Sequence, residues 1–153
     1  MDIKAILLDF DGTTLQRDQV FISVRNMYAI RKALDKGIYI VPSTGRAENM
    51  QPPQIEAEKR IRYYITSGGA RVVDHSTGEI IHEEILTPED SARMCRVFEG
   101  RNIYTEIAAG GKIYLEKAVA DHLEQYPVPS HHVWFIEAGR QIVIDKPSRY
   151  FSE

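Results

Sequence analysis

Residues 4–15, Lys-Ala-Ile-Leu-Leu-Asp-Phe-Asp-Gly-Thr-Thr-Leu, restrict the fold more than any other stretch of this chain. The apolar run Ala5, Ile6, Leu7, Leu8 reads as a strand of a parallel sheet, because such a strand is covered on both faces and need not alternate. Open α/β sheets place their active sites beyond the carboxyl ends of their strands. This run delivers two carboxylates there, Asp9 and Asp11, separated by one residue. Such a pair can hold a hard cation such as Mg²⁺, which prefers oxygen ligands and keeps several waters. One carboxylate can also attack phosphorus while the other handles protons. Gly12 permits the sharp turn that brings backbone N–H groups toward an anion.

Simpler readings compete with this one. Asp-Gly is a common turn dipeptide and alone would mark only a hairpin. A calcium loop also begins Asp-x-Asp, but needs Gly at its sixth position and Glu at its twelfth. Counted from Asp9 those positions hold Thr14 and Val20, so the calcium loop fails. The strand context is what the chemical reading requires, and it is present.

Strand 3–8 is followed by Ser23, an N-cap for a helix over 24–36 with Val24, Met27, Ile30 and Leu34 on one face and Gly37 as its stop. A second apolar run, 38–41, delivers Ser43 and Thr44. Pro52-Pro53 breaks any helix after Arg46, and a helix over 54–60 leads to a third strand, Tyr63–Thr66. Strand–helix–strand–helix–strand with short connections implies right-handed crossovers and a parallel sheet. The pattern changes after Gly68-Gly69. Stretches 70–74 and 79–86 read as a hairpin around Ser76-Thr77-Gly78, and Thr87-Pro88-Glu89-Asp90 starts a helix that runs to about Phe98. A hairpin over 103–108 and Lys112–Glu116, a helix over 118–125 and a last strand, Gln141–Ile144, complete the reading. The expectation is an α/β core over 1–69 and an α+β domain over 70–153.

Composition narrows the classes further. A chain of 153 residues with 43% hydrophobic and 27% charged content is that of a globular protein rather than a disordered one. A net charge of −3 gives no electrostatic case for nucleic acid or an anionic membrane as partner. The single cysteine, Cys95, excludes an internal disulfide, suits a reducing cytoplasm, and reads as a packed thiol on a helix. There is no signal-peptide pattern, and no apolar run approaches the roughly 18 residues of a membrane span. Cytoplasmic location is the resulting expectation.

Asp9-Phe10-Asp11-Gly12-Thr13-Thr14 resembles the first motif of the haloacid dehalogenase-like (HAD) hydrolases, mostly Mg²⁺-dependent phosphatases. Ile40-Val41-Pro42-Ser43-Thr44-Gly45-Arg46 is similar to the strand-Thr-Gly-Arg motif of the Cof-type branch, whose members act largely on sugar phosphates and other small phosphomonoesters. Ile65-Thr66-Ser67-Gly68-Gly69-Ala70 resembles that branch's third strand ending, with Gly68 where Asn is more usual. The resemblance implies a partial Rossmann-like core followed by a cap. Only about thirty residues separate Asp11 from Thr44, room for one crossover and no inserted domain, so the cap falls after Gly69. It further implies Asp9 as nucleophile through an aspartyl-phosphate and Asp11 as acid and base. Mg²⁺ would rest on the Asp9 carboxylate and the Asp11 backbone carbonyl. Thr44 and the Gly12 and Gly45 amides would hold the phosphoryl oxygens, with Arg46 as a clamp on the phosphate of a small phosphorylated metabolite.

Several roles stay open at this level. Arg46 suits a substrate clamp or a salt bridge, and Thr44 a phosphate ligand or a plain strand-end cap. The family's downstream Lys and acidic Gly-Asp motif have no counterpart: no Gly-Asp dipeptide occurs, and Lys146 directly follows a cap strand. The expectation is therefore a chain truncated within or just after the cap, either a phosphatase or a non-catalytic remnant or split half. Its first strand would keep an open edge suited to self-association or a complementing chain. His131-His132, as neighbours in an extended segment between prolines, read as loop residues rather than metal ligands. Tyr104, Tyr114, Trp134 and Phe135 read as cap core rather than a substrate platform.

Overall fold

The computed structural model describes residues 2–147, in two compact units that part between Glu84 and Ile85. The end of the expected cap, 148–153, lies outside the described residues.

In the first unit, strand β1 (Ala5–Leu8) pairs in parallel with β2 (Tyr39–Pro42), in the register Ala5↔Tyr39 through Leu8↔Pro42. The crossover between them is helix α1 (Val24–Asp35). Its N-cap is the expected Ser23, whose Oγ accepts from the Asn26 N–H at 3.1 Å. Met27 and Ile30 bury the inner face of α1 against Phe10, Ile22 and Ile40. Val24, expected on that face, is 89% exposed. After a short helix α2 (Pro53–Ala57), β3 (Tyr63–Thr66) joins β2 through one parallel bridge, Ser43↔Ile65.

The division of the chain differs from the expected one at Gly69–Ala70. Strands β4 (Arg71–Asp74) and β5 (Glu79–Glu83) form the foreseen hairpin, but β4 pairs antiparallel with β3 from Tyr63↔Asp74 to Thr66↔Arg71. Gly68 and Gly69, at φ +67° and +97°, reverse the chain so sharply that β4 must run back along the strand it has just left. Val73 thereby enters the same core as Tyr64, and the compact units part after Glu84. Change of pattern and change of unit are separate events here.

In the second unit, α3 (Pro88–Phe98) begins at the expected N-cap, Thr87, whose Oγ1 accepts from the Asp90 N–H at 3.1 Å. Strands β6 (Glu106–Ala109) and β7 (Lys112–Glu116) are the foreseen antiparallel hairpin, and β8 (Gln141–Ile144) lies parallel to β7. The expected helix 118–125 is one turn, α4 (Lys117–Ala120), followed by a 3-10 turn at Leu123–Gln125. Helix α5 (Ser130–Glu137) stands where the sequence reads as loop. Pro127 and Pro129 precede its first turn, where a missing N–H is harmless, so they lead into a helix instead of preventing one. The buried apolar side chains of this unit include Phe135, Leu115, Ile113 and Val119, with Ala92 of α3. Cys95 is half-buried on α3, and burial pushes its thiol up. Among the described residues no helix is long and apolar enough to cross a membrane.

Candidate active site

The register Leu8↔Pro42 brings β1 and β2 to an end together, so residues 9–12 and 43–46 leave the sheet at the same side. Phe10 is fully buried in the core, and its flanking neighbours Asp9 and Asp11 therefore point away from it into solvent. The amides of Thr13, Thr14 and Leu15 converge on the Phe10 carbonyl at 3.0–3.1 Å, while those of Asp11 and Gly12 take no part. Gly12, at φ +72°, makes this tight turn possible. The two hydroxyls that follow act at once on Asp9. Thr13 Oγ1 donates to Asp9 Oδ2 at 2.8 Å, and Thr14 Oγ1 donates to the Asp9 carbonyl at 2.5 Å. Asp9 is held at side chain and backbone while remaining exposed.

Opposite it, Thr44 is buried and donates its N–H to the Ile65 carbonyl at 3.1 Å, while its own carbonyl accepts from Gly68 at 3.1 Å. Its Oγ1 accepts from the Arg46 N–H at 3.2 Å. That bond uses a lone pair and leaves the hydroxyl proton available to an anion. Gly45 is exposed between them.

Arg46 makes a salt bridge, one of the two roles its sequence context left open. Its Nε donates to Asp11 Oδ2 at 2.8 Å and its Nη2 to Asp11 Oδ1 at 2.5 Å, a two-point grip on the carboxylate. Nη2 also donates to the Gln19 carbonyl at 2.6 Å and Nη1 to the Met50 carbonyl at 3.4 Å. The fork is turned onto Asp11, which the common ending of β1 and β2 brings within reach. Gln19, and Asn26 whose Nδ2 donates to the Thr14 carbonyl at 3.0 Å, were not legible as site residues. Neither stands within a motif.

As a metal centre the site is sparse. Among the described residues no group of three or more His, Cys, Asp or Glu side chains could hold an ion. What is present suits a hard, mostly hydrated cation: Thr13 donates to one Asp9 oxygen only, and the Asp11 carbonyl is a further hard-oxygen donor.

The histidine pair lies in the second unit, on α5. His132 Nδ1 and Glu106 Oε1 are 2.7 Å apart, Gln141 Nε2 donates to the same oxygen at 2.6 Å, and Tyr104 donates to it as well. Burial pushes the Glu106 carboxyl up, but the bonds from His132 and Tyr104 outweigh it and hold it below its ordinary value. This network joins a loop, β6, α5 and β8. Trp134 and Phe135 meet edge to face at 5.0 Å within the same unit. Lys146 is exposed just after β8.

A family model for the haloacid dehalogenase-like hydrolases matches residues 6–146. The chain belongs to the haloacid dehalogenase-like hydrolase family. This HAD chain is 40% identical over 86 residues to the 5-amino-6-(5-phospho-D-ribitylamino)uracil phosphatase YcsE of Bacillus subtilis, a match covering 56% of this chain and 34% of that protein. Its fold is that of a haloacid dehalogenase-like hydrolase from B. subtilis, with a TM-score of 0.71 at 24% identity over 99% of this chain and 57% of the other. It also matches the HAD subclass IIB sugar phosphatase BT4131, with a TM-score of 0.67 at 20% identity over 97% and 54% of the two chains. The HAD chain thus spans about half the length of the solved relatives and a smaller share of the curated one. It has the HAD fold, a partial Rossmann-like core with further α+β structure.

Proposed function

We propose that this chain carries the nucleophile-bearing part of a Mg²⁺-dependent, Cof-type phosphatase of the cytoplasm, acting on small, sugar-phosphate-like phosphomonoesters. The observation that carries the proposal is Asp9, exposed at a strand end and oriented by Thr13 and Thr14, with Asp11 two residues on. In this reading the Asp9 carboxylate attacks phosphorus and Asp11 gives a proton to the departing alcohol, leaving an aspartyl-phosphate. Asp11 then takes a proton from water as the water attacks phosphorus. Inorganic phosphate leaves and the Asp9 carboxylate is restored. Thr44 and the Gly12 and Gly45 amides hold the phosphoryl oxygens. The Asp9 carboxylate and the Asp11 backbone carbonyl would hold Mg²⁺, which would offset charge on those oxygens. In this proposal the second unit, from Ile85, is the counterpart of the cap expected from residue 70 onward, and the substrate is a small phosphorylated metabolite.

A second reading, a non-catalytic remnant or one half of a split protein, is favoured by β1 itself. Leu7 is 63% exposed and Ile6 36%, on a strand that pairs only with β2 among the described residues. The deciding experiment incubates the chain with Mg²⁺ and a panel of sugar phosphates, then reduces it with borohydride. An aspartyl-phosphate at Asp9 would be trapped as homoserine. Turnover without that product rules out the covalent route, and absence of both supports the remnant.

A further inference from the structure

The arrangement around Arg46 goes beyond that reading while resting on its assignment of Asp11 as acid and base. Four polar bonds use all three nitrogens of one guanidinium that is only 9% exposed: two to Asp11, one to the Gln19 carbonyl and one to the Met50 carbonyl. The backbone of Arg46 is fixed at both ends, its N–H on Thr44 Oγ1 and its carbonyl accepting from Ser67 at 2.9 Å. A planar fork anchored this way has little freedom to follow a substrate. It imposes its own geometry on what it holds.

Gln19 shows the consequence. It lies in the turn closed by the bridge Leu15↔Ile22 and sits at φ 57°, a left-handed conformation that non-glycine residues rarely adopt. Its side-chain Oε1 is buried without a partner. A residue with both costs persists only where its surroundings over-determine it, and such positions cluster at functional sites. Its carbonyl is the atom that Arg46 Nη2 grips at 2.6 Å. Asp18 secures the same turn, its Oδ1 accepting from Val20 and Phe21 at 2.9 and 3.0 Å.

We infer that Arg46 is a positioning residue: it locks Asp11 to the 15–22 turn, so that the place of the acid–base carboxylate is set by that turn and not by the substrate. A carboxylate gripped at both oxygens is an acceptor only. A clamp on substrate phosphate and a positioner of Asp11 predict different kinetics. Loss of a clamp raises KM. Loss of a positioner lowers kcat, because misplacing a catalytic group by about 1 Å removes on the order of 10²-fold in rate.

The test compares wild type, Arg46→Lys and Arg46→Gln. In the active protein both variants are expected to lose about 10²-fold in kcat with KM and competition by inorganic phosphate unchanged, since a lysine point charge cannot reproduce the two-point grip. A raised KM and weakened phosphate competition at unchanged kcat would overturn the proposal in favour of a clamp. A second measurement needs no turnover: the ¹⁵N side-chain resonances of Arg46 and amide exchange across 15–22. Asp11→Asn should free rotation of the Arg46 guanidinium and speed exchange in the turn, whereas Asp9→Asn should do neither. A guanidinium that rotates freely in wild type, or ignores Asp11→Asn, would overturn the proposal. Inactive protein that keeps this coupling would instead defeat the phosphatase reading and leave Arg46 as the lock.

Discussion

Phe10 separates two carboxylates and gives them their direction. Buried completely, it pins the backbone so that Asp9 and Asp11 emerge on either side of it at the end of β1. The chemistry then divides between them by what each touches. Asp9 accepts a hydrogen bond from the Thr13 hydroxyl, whereas Asp11 is held by Arg46. Asp9→Asn should abolish phosphomonoester turnover by removing the nucleophilic carboxylate, and Asp11→Asn should depress it about 10²-fold or more through lost proton transfer. Full turnover by Asp9→Asn would exclude an aspartyl-phosphate. Gly12 offers a separate test on stability. A Cβ there would meet nothing within 4 Å, so Gly12→Ala carries only the penalty of φ +72°. About 1 kcal/mol is expected, read from urea unfolding midpoints. A much larger loss would mean that the turn amides are committed to contacts beyond those described.

Between elements, side chains do the joining. Ser23 caps α1, and Asn26 in the same first turn donates to the Thr14 carbonyl, so the helix start is tied to the turn after β1. Ser23→Ala should cost about 1 kcal/mol, visible in thermal unfolding. At the other end, Arg60 donates to both oxygens of Glu58 at 2.8 and 3.0 Å and to Asp35 of α1 at 2.9 Å, linking the segment after α2 to that helix. Arg60 holds the Glu58 carboxyl down at about 2, with Arg31 adding to it against the opposing effect of burial. A depressed folded value means that the stabilisation is complete above the unfolded value of 4.5 and is lost as pH falls toward about 2. Glu58→Gln should therefore flatten the acid limb of stability against pH over that window while changing stability at neutral pH by about 1 kcal/mol or less. Urea titrations at stepped pH would check it. An unchanged acid limb would assign the loss to Asp74 instead, which Arg62 and Ser76 likewise hold far below the usual carboxylate range.

For the molecule as a whole, the governing feature is the uncovered first strand. The Lys4 and Leu8 carbonyls accept from Tyr39 and Ser43 of the β2 side, so by the alternation of a strand Ala5 and Leu7 direct their N–H and C=O groups to the free edge. Ile6 and Leu7 face opposite sides of the sheet and are 36% and 63% exposed. An apolar edge with unpaired backbone groups is a template for another strand. We expect concentration-dependent self-association, and Leu7→Lys should reduce it with little change in unfolding midpoint. Sedimentation velocity decides this, and a wild-type monomer at all concentrations would refute it. Mg²⁺ should bind weakly, since one carboxylate and one carbonyl would be its protein donors in the proposed site; calorimetry showing tight, stoichiometric binding would reveal a missed ligand.

The sequence by itself determined what depends on near neighbours. Asp9, Asp11 and Gly12 follow an apolar run within one turn of chain, Ser23 and Thr87 announce their helices, and short apolar runs announce strands, because each is a local property of a few consecutive residues. The tertiary structure alone decided what depends on register. Arg46 meets Asp11 only because Leu8 and Pro42 are partners across two strands, and nothing in either motif states that pairing. Likewise β4 joins β3 in the first unit because Gly68 and Gly69 reverse the chain, although its hairpin pattern reads as the start of a new domain. Helix α5 forms over residues whose prolines look like breakers until their place before the first turn is known. Pairing across a sheet and the packing of one element on another involve residues far apart in sequence, and only the folded chain brings them together.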